Sequence, residues 1–426
     1  MKSVLNYKSF WIFISTVIFI LPSEVVSQET QGYVEYRGEV LNITTNEPLE
    51  SANIMVQNTN ISTITNSEGD FLLKIPNENL DSSILISHLG HVSRLIKIAN
   101  LSKEDNKIEL STKVTDLNAI SLLTYTDAGA LVNAVFSNKA NNNPRQATLM
   151  TAFYRETIKR RNRNVSLTEA VVNLYKQSYS NTSKDIVTLN KARKSTDYRR
   201  LDTVTVKLQG GPYSTLYVDI MKYPEYIFTS ESIGDYQFNF LAPSAINGRP
   251  VYVVNFNQRE NILEPLYKGT LYIDAESLAL TNAYYSLNLD KTRNIDNLFV
   301  KKKPRDVKVT PTIASYKVDY SEKDGIWQYS YGSAELSFKV SKKGKLFNSV
   351  FTLSAEMAVT DWEQNTSGYM GEPEKRLKPT VVMVDAVSGF SDPDFWGPYN
   401  LIEPEKSIES AINKIKRRIK REEDKG

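Results

Sequence analysis

The chain carries two histidines, His88 and His91, within Ser87-His88-Leu89-Gly90-His91. A metal would need both on one face together with a third ligand, and a strand broken by Gly90 does not bring positions i and i+3 together. With no cysteine in the sequence there is neither a thiolate site nor a thiol nucleophile. Both rings read as structural, no metal is expected, and most histidine-based general-base designs go with them. Gly-x-Ser-x-Gly, His-Glu-x-x-His, P-loop and dinucleotide glycine patterns are missing. A pair of carboxylates alone can hydrolyse a glycoside, but nothing among 49 acidic residues singles one out. The expectation is a non-enzyme with no catalytic residue and no cofactor.

Three other clusters each carry two readings. Lys159, Arg160, Arg161 and Arg163 place four basic side chains in five positions. They could grip a phosphate or lipid headgroup, or they form a solvated hairpin tip, the reading that asks less. Phe395, Trp396 and Tyr399 lie in a Pro-bounded loop and are the candidate interaction surface. They form a stacking platform for a glycan or peptide, or they cap a core. Beyond Glu403-Pro404, Ile408, Ala411, Ile412, Ile415 and Ile419 recur at helical spacing after a possible N-cap, Ser407, with Lys414, Lys416, Arg417, Arg418, Lys420 and Arg421 beside them. That helix either touches acidic headgroups at a membrane surface or docks on the protein with its cations complementing its own dipole.

The elements that must position these residues are mostly strands. Between Tyr33 and Leu110 about seven short strands alternate with turn signals, the pattern of a small antiparallel sandwich. Val34 to Leu41 is the first; Ala52, Ile54 and Val56 share one face of the next, and Phe71, Leu73 and Ile75 share one face of another. Asn66 and Gly69 set the structural turn that delivers Phe71 to the core. Gly38-Glu39-Val40, Pro48-Leu49, Ala52-Asn53-Ile54, Thr65-Asn66-Ser67-Glu68-Gly69-Asp70-Phe71 and Ser87-His88-Leu89-Gly90-His91 resemble the carboxypeptidase regulatory-like domain. The resemblance covers roughly 80 residues. It implies a β-sandwich without peptidase chemistry, of the kind that opens envelope proteins of some Gram-negative bacteria. An import receptor would continue into a plug and a long barrel, for which the remaining residues are too few.

A helix is predicted from Asp127, an acceptable N-cap, with Leu131, Ala134 and Val135 on one side and Asn141-Asn142-Asn143-Pro144 as its stop. Strands follow at Val251 to Asn257, Gly269 to Asp274, Ala279 to Leu287, Pro311 to Tyr320, Ile326 to Tyr331, Ala334 to Val340 and Phe351 to Val359. Asn247-Gly248 and Lys323-Asp324-Gly325 suit tight hairpins. Tyr252 to Phe256 followed by Gly269 to Ser277, with its Asp-x-x-Ser turn, is similar to periplasmic lipoprotein carriers. That resemblance implies an incomplete barrel over a helix, enclosing an apolar cavity. Phe153-Tyr154-Arg155-Glu156, Lys302-Lys303-Pro304, Glu356 to Asp361 and Asp394 to Asn400 are similar to uncharacterised envelope proteins with the same N-terminal module, which implies location more than activity.

The fold class expected is mainly β: an N-terminal antiparallel β-sandwich, then a larger antiparallel meander or incomplete barrel with a few helices. The divisions are a signal peptide at 1–27, the sandwich at 28–112, a linker and helix at 113–146, the β domain at 147–403 and a basic amphipathic helix at 404–426. Lys2 and Lys8 precede an apolar run, Phe10 to Leu21, whose 12 residues fall short of the roughly 18–20 that span a bilayer. Export without cysteine favours a bacterial envelope and removes the lipobox of a lipoprotein. The basic and acidic residues, 52 and 49, become 50 and 48 without Lys2, Lys8 and Glu24, leaving no field for nucleic acid. The placement expected is the periplasm or the outer-membrane periphery, not as a lipoprotein and not as an integral receptor barrel. Two functions follow: a binding or scaffolding protein meeting an envelope protein or glycan, or a carrier of a lipid or other apolar ligand in a half-barrel cavity.

Overall fold

The computed structural model describes residues 32–113, 124–161, 163–196, 207–229, 231–246, 248–290, 299, 304–344, 348–387, 393–410, 412–413 and 417. Met1–Gly32 separates from Tyr33–Gly426, which forms one compact unit. The expected signal segment, most of the linker, Lys302-Lys303 and most of the C-terminal cations lie outside the described residues. No helix among the described residues is long and apolar enough to cross a membrane.

The first seven strands make the expected sandwich. They are β1 (Tyr33–Asn42), β2 (Asn53–Val56), β3 (Ser62–Ile64), β4 (Asp70–Pro76), β5 (Ser83–Ser87), β6 (Arg94–Lys97) and β7 (Asn106–Leu110). One sheet runs β4-β1-β7 and the other β3-β2-β5-β6. Alternation sends Val40, Ile54, Val56, Leu73, Ile75, Ile84 and Ile86 into the space between them, all buried. The antiparallel expectation fails at one pair: β7 returns alongside β1 in the same direction. The turn before β4 is built as its residues predict. Asn66 Oδ1 accepts from the amides of Glu68 and Asp70, each at 2.9 Å, and Gly69 sits at φ +79°. A Cβ on Gly69 would lie 2.8 Å from the Val40 carbonyl oxygen, so the glycine serves both geometry and close approach. Phe71 follows, buried as expected.

The rest of the chain builds one large antiparallel sheet of 11 strands. Its members are β8 (Thr148–Arg160), β9 (Arg163–Lys176), β10 (Ile186–Thr196), β11 (Tyr236–Phe240), β12 (Ser244–Ile246), β13 (Arg249–Gln258), β14 (Tyr267–Asp274), β15 (Leu280–Leu287), β16 (Val307–Lys323), β17 (Ile326–Lys342) and β18 (Ser349–Gln364). The order is β10-β9-β8-β18-β17-β16-β15-β14-β13-β11, with β12 also on β13. It is a meander whose last strand closes against β8, and it stays open between β10 and β11. The stretches read as separate strands at 326–331 and 334–340 are one strand, β17. Gly332 between them is no turn: a Cβ there would meet the Thr215 carbonyl at 2.5 Å, so the glycine admits a neighbouring backbone. Asp324 and Gly325, both at positive φ, make the expected tight hairpin between β16 and β17.

One face of this sheet is apolar and filled by the chain itself. Helix α1 (Ala128–Ser137), capped by the Asp127 side chain on the Ala130 amide, lays Leu131, Val132 and Val135 on it. Two short helices follow, α2 (Lys139–Asn142) and α3 (Pro212–Leu216). The segment around α3 adds Tyr213, Leu216, Ile220, Met221, Ile227 and Phe228 against Met150, Val172, Val254, Val318 and Met357 of the strands. The opposite face is polar over β13–β17, but its β8–β9 and β17–β18 region carries Phe153, Val171, Tyr331 and Ala358. There Ile64 and Leu72 of the sandwich pack on it.

Candidate interaction surfaces

The aromatic loop belongs to the seam between sandwich and sheet. Trp396 is 2% exposed, edge-on to Phe153 at 5.6 Å, with the Arg193 guanidinium over its ring at 5.0 Å. Phe395 and Tyr399 are half-buried, and the Lys191 ammonium lies over both rings, at 5.7 and 5.6 Å. A surface stacking platform needs a free ring face, so for Trp396 that reading is corrected: the indole caps a core.

From this cap the chain runs on as a strap between the two bodies. Asn400 behaves as a peptide group, its Oδ1 accepting from the Lys74 amide at 2.6 Å and its Nδ2 donating to the Lys74 carbonyl at 3.2 Å. Leu401 pairs with Leu72 beside β4 and accepts a hydrogen bond from Thr63. Asn66 Nδ2 donates to the Glu403 carbonyl at 3.1 Å, so the predicted turn residue also fastens the strap. Arg37 and Glu403 close the row with an ion pair of 2.6 Å.

Under the strap lies a buried charge network that the sequence reading did not anticipate. Arg155 on β8, 2% exposed, donates to Glu169 at 2.9 Å, to Glu356 at 3.3 Å and to the Ile402 carbonyl at 2.7 Å. Arg193 takes the other oxygen of Glu169 at 2.7 Å. Burial works against the Glu169 anion, but the two guanidinium groups hold its carboxyl below the usual range. Glu356 has only one such partner, and burial leaves its pKa raised.

The filled face has its own network. Lys176, 1% exposed, reaches Asp185 at 3.0 Å and Asp219 at 2.7 Å. Tyr179 and Tyr320 both donate to Asp219, at 2.6 and 2.8 Å. Burial opposes the Lys176 charge, yet the two aspartates hold its pKa above the ordinary value. Because Asp219 follows α3, this ammonium pins that segment to the sheet. Such completely enclosed groups leave no approach for a substrate, and their geometry is that of an anchor.

Glu156 is different: it is 2% exposed, and the hydrogen bond it is seen to make is with Tyr154, at 3.0 Å. Burial pushes its carboxyl up to about 7. A folded-state pKa above the unfolded one stabilises the fold below the unfolded value near 4.5. That contribution is lost as pH rises through the window from about 4.5 to 7. The span of about 2.5 units corresponds to about 3 kcal/mol. Buried His88 works in the opposite sense over an overlapping window, so the Glu156 contribution should appear as the difference between the native chain and Glu156→Gln when urea unfolding is compared at pH 5 and pH 8. An unchanged pH dependence in that variant would remove Glu156 as the cause.

The remaining candidates are placed plainly. The expectation that His88 and His91 stay apart is corrected: the turn at Gly90, φ +76°, brings their Nδ1 atoms to 2.9 Å, Asn42 meets His91 Nε2 at 3.1 Å, and burial lowers His88 to about 4. No group of three or more metal-ligating side chains occurs among the described residues. His88 borders a polar cavity of about 60 Å³ at the seam with Asn53, Asn282, Asp319 and Trp327, room for about four water molecules. The basic run is a hairpin tip, with Arg161 at φ +48° between β8 and β9. Ile408 and Ile412 of the C-terminal helix dock on Leu167 of β9. On the polar face, Asn255, Tyr284, Ser315, Lys317 and Glu335 border an open trough of about 510 Å³. At the sandwich's far end, an open groove of about 460 Å³ runs between β6 and β7.

Comparison with known proteins agrees with the N-terminal reading. The model of the CarboxypepD_reg-like domain matches residues 36–122. No curated protein matches the chain. Among solved structures, a DUF1329 family protein from Desulfovibrio piger is similar at 11% identity and TM-score 0.25, covering 59% of this chain and 100% of that one. A 9R-lipoxygenase from Cyanothece is similar at 10% identity and TM-score 0.16, covering 74% of this chain and 43% of that one. At such scores neither likeness carries an argument.

Proposed function

We propose, from the premise that residues 36–122 form a CarboxypepD_reg-like domain, that this chain is a non-catalytic binding or scaffolding protein of the cell envelope. In this reading the chain is exported, works in the periplasm or at the outer-membrane periphery, and uses the sandwich for interaction. The large sheet holds the sandwich in a fixed pose. The observation that carries the reading is the filled apolar face. A carrier needs that face hollow, with a cavity of about 300–1,000 Å³. Here six large side chains of the α3 segment occupy it. At about 1.5–3 kcal/mol for each buried side chain, vacating them costs roughly 10 kcal/mol, as much as a whole domain's stability.

The test is native mass spectrometry of the chain purified from an envelope fraction, with lipid extraction and the N-terminal mass read alongside. A protein without bound lipid, cross-linking to an envelope partner through its sandwich, is the expected result. A lipid or other apolar molecule retained at fixed stoichiometry would replace this reading with that of a carrier. An intact leader on a protein found in the cytosol would sink the envelope placement.

A further inference from the structure

A sandwich of two sheets has four edge strands, here β4, β7, β3 and β6. The rest of the chain closes two of them. The strap lies along β4 through Leu401 and Asn400. β3 is laid on the large sheet, where Ser62 donates to the Val359 carbonyl at 3.2 Å. β6 and β7 remain, side by side, with the groove of about 460 Å³ between them. Among the described residues β6 pairs with β5 alone. The Ile98 amide bonds back to Ser82, in line with that ladder. Alternation then turns the amides and carbonyls of Arg94 and Ile96 toward β5, and those of Leu95 and Lys97 toward the open side. An exposed edge of this kind is a ready template for another strand.

We infer that this edge is a docking site for an extended, acidic segment of a partner protein, added to β6 as a further antiparallel strand. The inference rests on the binding reading above and specifies the surface and the partner's chemistry. Strand addition supplies affinity through the main chain, and side chains set specificity. Leu95 is 55% exposed on the strand itself, an apolar contact that no described residue covers. Arg94, Lys97 and Lys107 supply cations along the groove, Ile96 and Ile108 supply apolar wall, and no carboxylate lines it. Lys107 is already shared with Glu109 at 3.1 Å and Arg94 gives one N–H to the Glu109 carbonyl at 3.3 Å, which leaves Lys97 and the rest of the Arg94 guanidinium as the main anion-facing groups. Arg94 and Ile96 lie on one face of β6 and Leu95 and Lys97 on the other, so a strand reading acidic, apolar, apolar, acidic sets each acid opposite a cation and each apolar side chain opposite Leu95 or Ile96. A second copy of this chain does not: two β6 edges brought together would crowd Arg94 and Lys97 of both copies into one strand pair with no carboxylate lining it.

The experiment titrates the full chain with a fluorescent peptide of repeated Glu-Val-Val-Glu, and with its Lys-Val-Val-Lys counterpart, while amide exchange is followed residue by residue. The glutamate peptide should bind at least ten times more tightly than the lysine peptide, weaken with salt, and protect the Leu95 and Lys97 amides. Arg94→Glu with Lys97→Glu should reverse the preference at an unchanged melting temperature. Leu95→Pro removes an amide that β5 does not use, so it should abolish binding while the ladder persists. Equal binding of both peptides, protection elsewhere, no binding, or self-association of the chain through β6 would each overturn the inference. If the double charge reversal still cross-links to its envelope partner through the sandwich, the edge is wrong and the binding reading stands. If the native chain has no such partner, the binding reading itself fails.

Discussion

Replacing Arg155 by leucine is expected to destabilise the chain by about 3–5 kcal/mol, because it breaks a buried ion network rather than a surface pair. Glu356, already held up by burial, would lose its cation and keep only the Tyr331 hydroxyl at 3.4 Å. The Ile402 carbonyl would lose its donor at the point where the strap crosses the sheet. Glu169 would be left to Arg193 alone. The damage should be local before it is global, so amide exchange in residues 400–406 should accelerate ahead of the strands. Arg155→Lys should recover little, since a point ammonium cannot fork between Glu169 and Ile402. Replacing Arg155, Glu169 and Arg193 together by apolar residues should recover part of the loss. If Arg155→Leu unfolds at the native urea midpoint with the strap still protected, the network does not hold the seam.

Lys176→Met is expected to cost a similar 3–5 kcal/mol. It strands Asp185 and Asp219, both wholly buried, near each other without their shared cation. The two anions would then repel each other inside the fold, where salt screens little, so the loss should persist at high ionic strength. Asp219→Asn should be milder, because Lys176 keeps Asp185 and the tyrosine hydroxyls keep an acceptor. Since Asp219 ties the α3 segment to the sheet, a dye for apolar surface should bind Lys176→Met more strongly than the native chain. Equal urea midpoints for Lys176→Met and the native chain would show that the anchor is dispensable.

The sandwich was largely legible because its strands are short and half-buried, so alternation at Ile54–Val56 or Phe71–Ile75 reports one core directly. The large sheet was legible as strands but not in its layering. β8 is buried on both faces, Tyr154 and Glu156 toward the filled face and Phe153 and Arg155 toward the seam, and a strand enclosed twice loses the alternation that marks a face. Charged residues in such a strand read as solvent-facing until the second layer is known, which is why Arg155, Glu169 and Lys176 were given no structural role. Gly332 misled for a related reason: close approach to Thr215 and a turn put the same residue into a sequence. The scattered segments that the sequence analysis compared with uncharacterised proteins held a clue of another kind. Phe153-Tyr154-Arg155-Glu156, Glu356 to Asp361 and Asp394 to Asn400 lie far apart along the chain, and the fold brings Phe153, Arg155, Glu356, Trp396 and Asn400 to one seam. The edge at β6 was invisible, since an edge is defined by what fails to lie beside it.

The strap also fixes an order of events in time. Lys74 and Asn400 are separated by 326 positions, and Arg37 and Glu403 by 366. A chain that emerges from its N-terminal side can complete the sandwich from local contacts long before residue 400 exists. Until then the small module is a ball on a tether, and β4, one of its exposed edges, has nothing beside it. Closing a loop of that length is entropically costly and kinetically late, so the clasp is among the last contacts to form. The pose of the module therefore records that everything between Lys74 and Asn400 has been made and folded, and a chain interrupted anywhere in that interval keeps a module that can point in any direction.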